Sequence, residues 1–291
     1  MERINPLCFF VTGTGRCGSM WLARLLDQGV NCRCVHEYST PYALLKPAWQ
    51  SGDLSAVREA GTTAILPAVR EANAAGKKWG EVSGLLYFLF PELERIFGVS
   101  AKYVLLVRRP VTFVRSALAR GFFCPNHPHA LEHAAPPFSS VGKTFFERPA
   151  AGSEAAKRWA KWGPVEKNLW YWAAVNSYIL NFFDELQNNE RCMVLRLEDF
   201  SVQTMLTLLD FLCVKGLNVA QVKIMLEKPI NRTPTTLDDM VSAGSNDGRF
   251  NPFSLSLQEA ALPFRDWPET WQEAYKSLAL PLELRLYTED V

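Results

Sequence analysis

The chain contains no run of about eighteen apolar residues, so none of it is expected to cross a membrane. It also has almost no net charge: 31 basic and 30 acidic side chains leave +1, and no long basic stripe stands ready for a nucleic acid. Its opening, MERINPLCFFVTG, enters an apolar segment at once and leaves no room for a signal peptide, which implies a cytoplasmic place. Histidine is scarce, at four residues, and His127, His129 and His133 crowd one stretch without the carboxylates a metal would need. The seven cysteines are odd in number and irregular in spacing. Cys32-x-Cys34 is not a zinc spacing and no second pair complements it, so all are read as reduced and mostly buried. No repeats or low-complexity segments appear. What is there is 291 residues of 48% hydrophobic content, enough for one sizeable core and read as a single domain over 1–291.

From Phe9 to Gln28 the chain reads FFVTGTGRCGSMWLARLLDQ: an apolar strand, a glycine-rich turn, then an amphipathic helix. That order builds an anion cradle, because the free N–H groups and positive dipole end of the helix point into the turn. Gly13, Gly15 and Gly18 allow close backbone approach. Three identities compete for the anion. A nucleoside-triphosphate loop has Lys and Ser/Thr after the last glycine. Here Ser19 and Met20 follow Gly18, and the positive charge has moved to Arg16. A kinase-like phosphotransferase would also need magnesium ligands, for which Glu198 and Asp199 are the only plausible acids. A dinucleotide fingerprint is satisfied by Gly13-x-Gly15-x-x-Gly18, with Glu37 about twenty residues on where a ribose-binding acid belongs. Its weakness is the next segment, since Val30–Val35 (VNCRCV) is too short and polar for a buried parallel strand. This NAD(P)-dependent oxidoreductase remains the alternative.

The third identity rests on Arg16-Cys17-Gly18-Ser19-Met20-Trp21. A basic residue, a small residue, Gly, a hydroxyl, a bulky residue and Trp resemble the 5′-phosphosulfate loop of sulfotransferases that use 3′-phosphoadenosine-5′-phosphosulfate (PAPS). A second segment, Lys102–Gly121, reads KYVLLVRRPVTFVRSALARG: a strand ending in two arginines, then a helix opened by Pro110. In that family an Arg at a strand end and a Ser eight residues later hold the cofactor's 3′-phosphate, and Arg108 and Ser116 have this spacing. The planar fork of Arg suits phosphate oxygens. Softer matches are Lys77–Phe97, Val194–Phe200 (VLRLEDF) and Asn231-Arg232-Thr233-Pro234, so the resemblance spans about 7–235.

The resemblance implies an α/β three-layer sandwich with a central parallel sheet, the P-loop-NTPase-like sulfotransferase fold, and sulfuryl transfer to a hydroxyl or nitrogen. PAPS is the donor and 3′-phosphoadenosine-5′-phosphate (PAP) leaves, with no metal. Thr14, Gly15, Arg16, Cys17, Gly18, Ser19, Met20, Arg108, Ser116, Asn231 and Arg232 are the expected cofactor contacts. Arg16 and the loop amides would stabilise charge on the leaving oxygen. Cys17, at a helix N-terminus beside Arg16, is also a candidate nucleophile, though a small residue filling the loop is the plainer reading. For the general base, Glu37 in His36-Glu37-Tyr38 is favoured, with Glu81 and His36 as rivals. Glu81-Val82-Ser83 stands where cytosolic members carry Lys-Thr-His, so their histidine is absent. The expected partner is a small-molecule or carbohydrate acceptor, with no nucleic acid and no membrane; a homodimer is allowed for.

Alternating signals predict strands at 7–12, 79–83, 102–107 and 191–197. Helices are predicted at 19–28, 54–75, 91–97, 110–120, 165–187, 202–213 and 218–227. Gly121–Gly152, with five prolines, is read as an acceptor-side lid. Trp159, Trp162, Trp170, Tyr171 and Trp172 are expected to divide between core packing and a wall for the acceptor.

Overall fold

A computed structural model of the protein describes residues 5–38, 42–124, 146–187, 189–228 and 259–288. The strands are β1 (Cys8–Thr12), β2 (Cys32–His36), β3 (Lys78–Val82), β4 (Ala101–Val107) and β5 (Cys192–Arg196). Between and after them lie α1 (Ser19–Leu26), α2 (Tyr42–Gln50), α3 (Ser55–Ala60), α4 (Leu66–Ala74), α5 (Phe90–Phe97), α6 (Pro110–Leu118), α7 (Glu154–Trp159) and α8 (Pro164–Leu186). The later helices are α9 (Val202–Phe211), α10 (Val219–Glu227), α11 (Glu269–Ala274) and α12 (Leu280–Tyr287). The chain divides into two compact units, one of Met1–Val107 with Tyr178–Asn231, the other of Arg108–Ser177 with Arg232–Val291.

The first unit is built on a five-stranded sheet in the order β2-β3-β1-β4-β5, every neighbouring pair parallel. Parallel strands inside such a sheet are covered on both faces, which is why β1 (CFFVT), β3 (KWGEV) and β4 (AKYVLLV) are buried at every position. Side chains alternate between faces. Phe9 and Val11 join Leu22, Leu25 and Leu26 of α1 and Met205, Leu208 and Val222 of α9 and α10 in one apolar cluster. Phe10 takes the opposite face, where its ring lies 5.8 Å from Phe97 and 6.1 Å from Tyr103. The unit is therefore helix, sheet, helix, as the α/β expectation requires.

One expectation is corrected. The letters VNCRCV read as too short and polar for a buried parallel strand, yet Cys32–His36 forms β2 and pairs along its length with β3. Its polarity fits an edge: only one side is hydrogen-bonded into the sheet, and Arg33 is exposed. Asp27 at the end of α1 accepts from the Cys34 N–H at 2.9 Å, satisfying a group on that strand. The predicted 54–75 helix is present over 55–74 as α3, a π-turn at Gly61–Ile65 and α4 in unbroken succession. α2 escapes the periodicity rule because Pro47 sits inside it, and α7, α11 and α12 lie where no helix is predicted.

Candidate functional site

Topology places the site before any side chain does. β1 hands the chain to β2 at one edge, whereas its neighbour β3 hands it to β4 on the far side of β1. The connections leaving two adjacent strands thus diverge, and open α/β sheets bind ligands at the carboxyl ends of strands at such a point. A cleft of about 180 Å³, counting space open to solvent, lies there, lined among others by Gly13, Gly15, Cys17 and Ser19 after β1 and by Ser83 and Gly84 after β3.

The glycine turn follows from contacts that side chains would break. A Cβ on Gly13 would stand 2.1 Å from the carbonyl oxygen of Leu106 in β4, so only glycine lets the loop leave β1 here. Gly84 is close as well, though less severely, since its Cβ would lie 3.1 Å from the backbone of Gly15. Gly18 is left-handed at φ 86° and opens α1, its carbonyl accepting from the Leu22 N–H at 3.0 Å. Thr12 ties the two strand ends together by donating to the Ser83 carbonyl at 2.8 Å, and Ser83 Oγ accepts from the Leu85 N–H. Gly13→Ala is expected to cost about 3 kcal/mol, because backbone cannot move aside. Gly15→Ala meets nothing within 4 Å and carries only the strain of φ +73°, about 1 kcal/mol. Equilibrium urea unfolding of the two variants checks that contrast.

The sequence candidates sort as follows. Gly15, Cys17 and Ser19 line the cleft, Gly18 forms its turn, and Arg16 sits between them at φ 58°. Thr14 is buried and donates to the Gly15 carbonyl within the loop, while Met20 is half-buried on the first turn of α1. Cys17 is buried to 1% exposure, and its thiol donates to the Gly15 carbonyl at 3.0 Å. That geometry braces the turn from inside and favours the filling role over a nucleophile.

The candidate bases stand at the end of β2 and within β3. Glu37 is exposed, directly follows β2 and holds φ +53°, an unusual conformation for a non-glycine residue. Its N–H donates to the Val82 carbonyl at 3.3 Å. Glu81 has no exposure at all. Its carboxylate accepts from the Tyr38 N–H at 3.2 Å and from the Tyr42 hydroxyl at 3.1 Å. Burial pushes Glu81 up to about 7 against those two hydrogen bonds. Enclosed in this way, it ties down the turn that carries Glu37 through the Tyr38 N–H. His36, half-buried, lies with Nε2 2.9 Å from Ser19 Oγ, and desolvation lowers its pKa while Glu37 pulls it up.

Glu81 also sets a stability trend. Its folded pKa is raised, so the folded state holds a proton that the unfolded state releases, and stability falls as pH rises from about 4.5 to about 7. The difference is on the order of 3 kcal/mol. Urea midpoints at pH 5 and pH 8 should show that slope in the wild type and lose it in Glu81→Gln.

In the second unit the two arginines after β4 divide their work. Arg109 pairs with Glu283 of α12 at 3.0 Å and lies 4.3 Å over the ring of Tyr287, a structural anchor. Arg108 has different partners. Its Nε donates to Thr112 Oγ1 at 3.1 Å, the Thr112 hydroxyl donates to the Arg109 carbonyl at 3.0 Å, and Trp172 Nε1 donates to the Arg108 carbonyl at 2.7 Å. Ser116 lies buried on α6. Sequence reasoning missed Thr112, and missed that Trp172 binds the Arg108 carbonyl; the hydroxyl one helical turn after the arginine was the available signal. It also missed Thr12 and Gly84. The aromatic run packs partly upon itself, with Trp159 5.9 Å from Trp162 and 5.3 Å from Trp170, while Tyr171 and Trp172 are core.

Asn231, Arg232, the three loop histidines and most of the 121–152 stretch lie outside the described residues. Among the described residues no group of three or more His, Cys, Asp or Glu side chains is arranged to hold a metal, and Asp199 faces Arg196 at 3.6 Å. No helix among them is long and apolar enough to cross a membrane.

No family model and no curated protein matches the chain. Among solved structures it is similar to the sulfotransferase domain from the Synechococcus PCC 7002 olefin synthase, at 15% identity, covering 97% of this chain and 96% of that one, with a TM-score of 0.47.

Proposed function

We propose that the protein is a PAPS-dependent sulfotransferase, moving a sulfuryl group to a hydroxyl or amine nitrogen of a small-molecule or carbohydrate acceptor. The observation that carries this reading is the loop Gly13–Ser19, whose glycines hold it against β3 and β4 so that the start of α1 faces a cleft at the sheet's switch point. The loop's letters, Arg16-Cys17-Gly18-Ser19-Met20-Trp21, favour phosphosulfate over triphosphate, because the cation stands inside the turn and no lysine follows it.

The residues fit such a donor. Gly15 presents a bare backbone with no atom within 4 Å of where a Cβ would stand, leaving space at the mouth of the loop. The N–H groups at the start of α1 and the Arg16 guanidinium are suited to the phosphosulfate end, and Arg108 with Ser116 to the 3′-phosphate. When bound, the donor supplies a sulfuryl group on a phosphate leaving group. Preorganised donors aimed at that leaving oxygen contribute several kcal/mol. Glu37, exposed beside the loop's strand ends, takes the acceptor's proton, and buried Glu81 holds it in place through the Tyr38 N–H.

The order β2-β3-β1 weakens the dinucleotide alternative. In that fold the strand bearing the ribose-binding acid pairs directly with the glycine-loop strand, whereas here β3 stands between β1 and β2. The deciding experiment is a calorimetric titration with PAP beside 5′-AMP, ATP with magnesium, and NAD. Clear preference for PAP is expected; preference for NAD, or indifference to the 3′-phosphate, would remove the proposal.

A further inference from the structure

Ser19 lines the cleft and His36 does not, yet the two side chains meet at 2.9 Å between Oγ and Nε2. A serine hydroxyl has a single hydrogen to give. If neutral His36 carries its hydrogen on Nδ1, Nε2 accepts from Ser19 and the hydroxyl offers the cleft only lone pairs, the wrong partner for an anion. With the hydrogen on Nε2 the imidazole would already donate and no proton would be taken up, which a pH-independent ratio of affinities would reveal. If His36 is protonated, Nε2–H donates to Ser19 Oγ and the hydroxyl hydrogen turns free to donate into the cleft. We infer that His36 is a positioning residue that acts through Ser19, switching this hydroxyl from acceptor to donor as an anion enters the loop, so that binding is accompanied by net proton uptake at His36. The inference rests on the loop's reading as an anion site.

The surroundings permit the switch. His36 ends β2, which packs against α1 and pairs with β3. The charged side chains on or beside those elements are Arg16 in the loop before α1, Arg24 on α1 with Asp27 at its end, Lys78 and Glu81 on β3, and Arg33 and Glu37 on or beside β2 itself. Burial keeps the thiols of Cys32 and Cys34 on β2 protonated. Asp27 is engaged with the Cys34 N–H, Arg33 with Glu71 at 2.9 Å, and Glu81 with Tyr38 and Tyr42. Lys78 Nζ donates to the Asn5 side chain and the Pro6 carbonyl, at the other end of β3. Glu37 is the neighbour that favours the imidazolium, against desolvation. An anion beside Ser19 adds to the side of Glu37. The sign follows by linkage: a ligand that raises the pKa of His36 must bind more tightly below that pKa, by the same factor.

The test is PAP affinity from pH 5.5 to 8.5 in the wild type and in His36→Gln, whose amide keeps a hydrogen-bonding group near Ser19 without titrating. PAP's own phosphates titrate equally in both, so the ratio of the two dissociation constants isolates His36. The wild type should gain about tenfold over His36→Gln on going from pH 8.5 to 5.5. Independently, the His36 imidazole is followed by NMR in a chain carrying His127→Gln, His129→Gln and His133→Gln. Its pKa should rise by about one unit on adding PAP, the equivalent of that tenfold, and much less in Ser19→Ala. A constant ratio across pH, or an imidazole that ignores PAP while PAP binds, overturns the inference and leaves the loop's reading intact. Absence of PAP binding at every pH overturns both. The imidazole titration needs no change at position 36 and decides the matter even if His36→Gln fails to fold.

Discussion

Glu37→Gln should lower turnover about 10²–10⁴-fold while leaving PAP affinity within a factor of two, the range a lost general base covers. Glutamine matches the shape and keeps the same backbone bond to Val82, so the turn at φ +53° is preserved and only the proton acceptor is removed. Backbone held in a sparsely populated region is maintained only where its surroundings enforce it. Here the enforcement is visible: the N–H groups of residues 37 and 38 are bound to Val82 and to Glu81. The measurement is kcat with PAPS and an acceptor found by screening, beside a PAP titration of the same variant. Unchanged turnover would eliminate Glu37 as the base. Glu81→Gln separates the two carboxylates, because its amide oxygen still accepts from the Tyr38 N–H. It should keep most of the turnover, where a true base would not.

Arg108→Ala should weaken PAP binding about 10–100-fold and leave 5′-AMP binding almost unchanged, collapsing the preference for the 3′-phosphate. A hydrogen bond to a charged group contributes roughly 1.5–3 kcal/mol, and each 1.4 kcal/mol is a factor of ten. The neighbouring Arg109 is the control within the same sequence. It is engaged with Glu283 and Tyr287, so Arg109→Ala should lower stability through α12 without changing the PAP/AMP ratio. Loss of affinity for both nucleotides in Arg108→Ala would mean that the residue supports the fold and not the 3′-phosphate. Thr112→Val, which removes the hydroxyl bound to Arg108 Nε, should give a smaller loss in the same direction, restored by Thr112→Ser.

What the sequence determined by itself was local. β4 was legible because Tyr103-Val104-Leu105-Leu106-Val107 is an unbroken apolar run, and α1 because its apolar spacing follows directly on the glycine turn. The loop was legible because glycine, arginine and hydroxyl stand within a few residues of one another and need no distant partner to be recognised. β2 was not, because an edge strand buries too little to be apolar, and its identity depends on pairing with β3, more than forty residues later in the chain. The surroundings of the two carboxylates were equally hidden. Glu37 and Glu81 look alike as letters, and only tertiary structure enclosed one between Tyr38 and Tyr42 and left the other exposed. The same holds for Ser19 and His36, brought within 2.9 Å because α1 packs across β2. Sequence specifies which groups can carry charge or give a hydrogen; packing decides burial and partners, and with them which group is buffered, which is free to react, and which holds another in place.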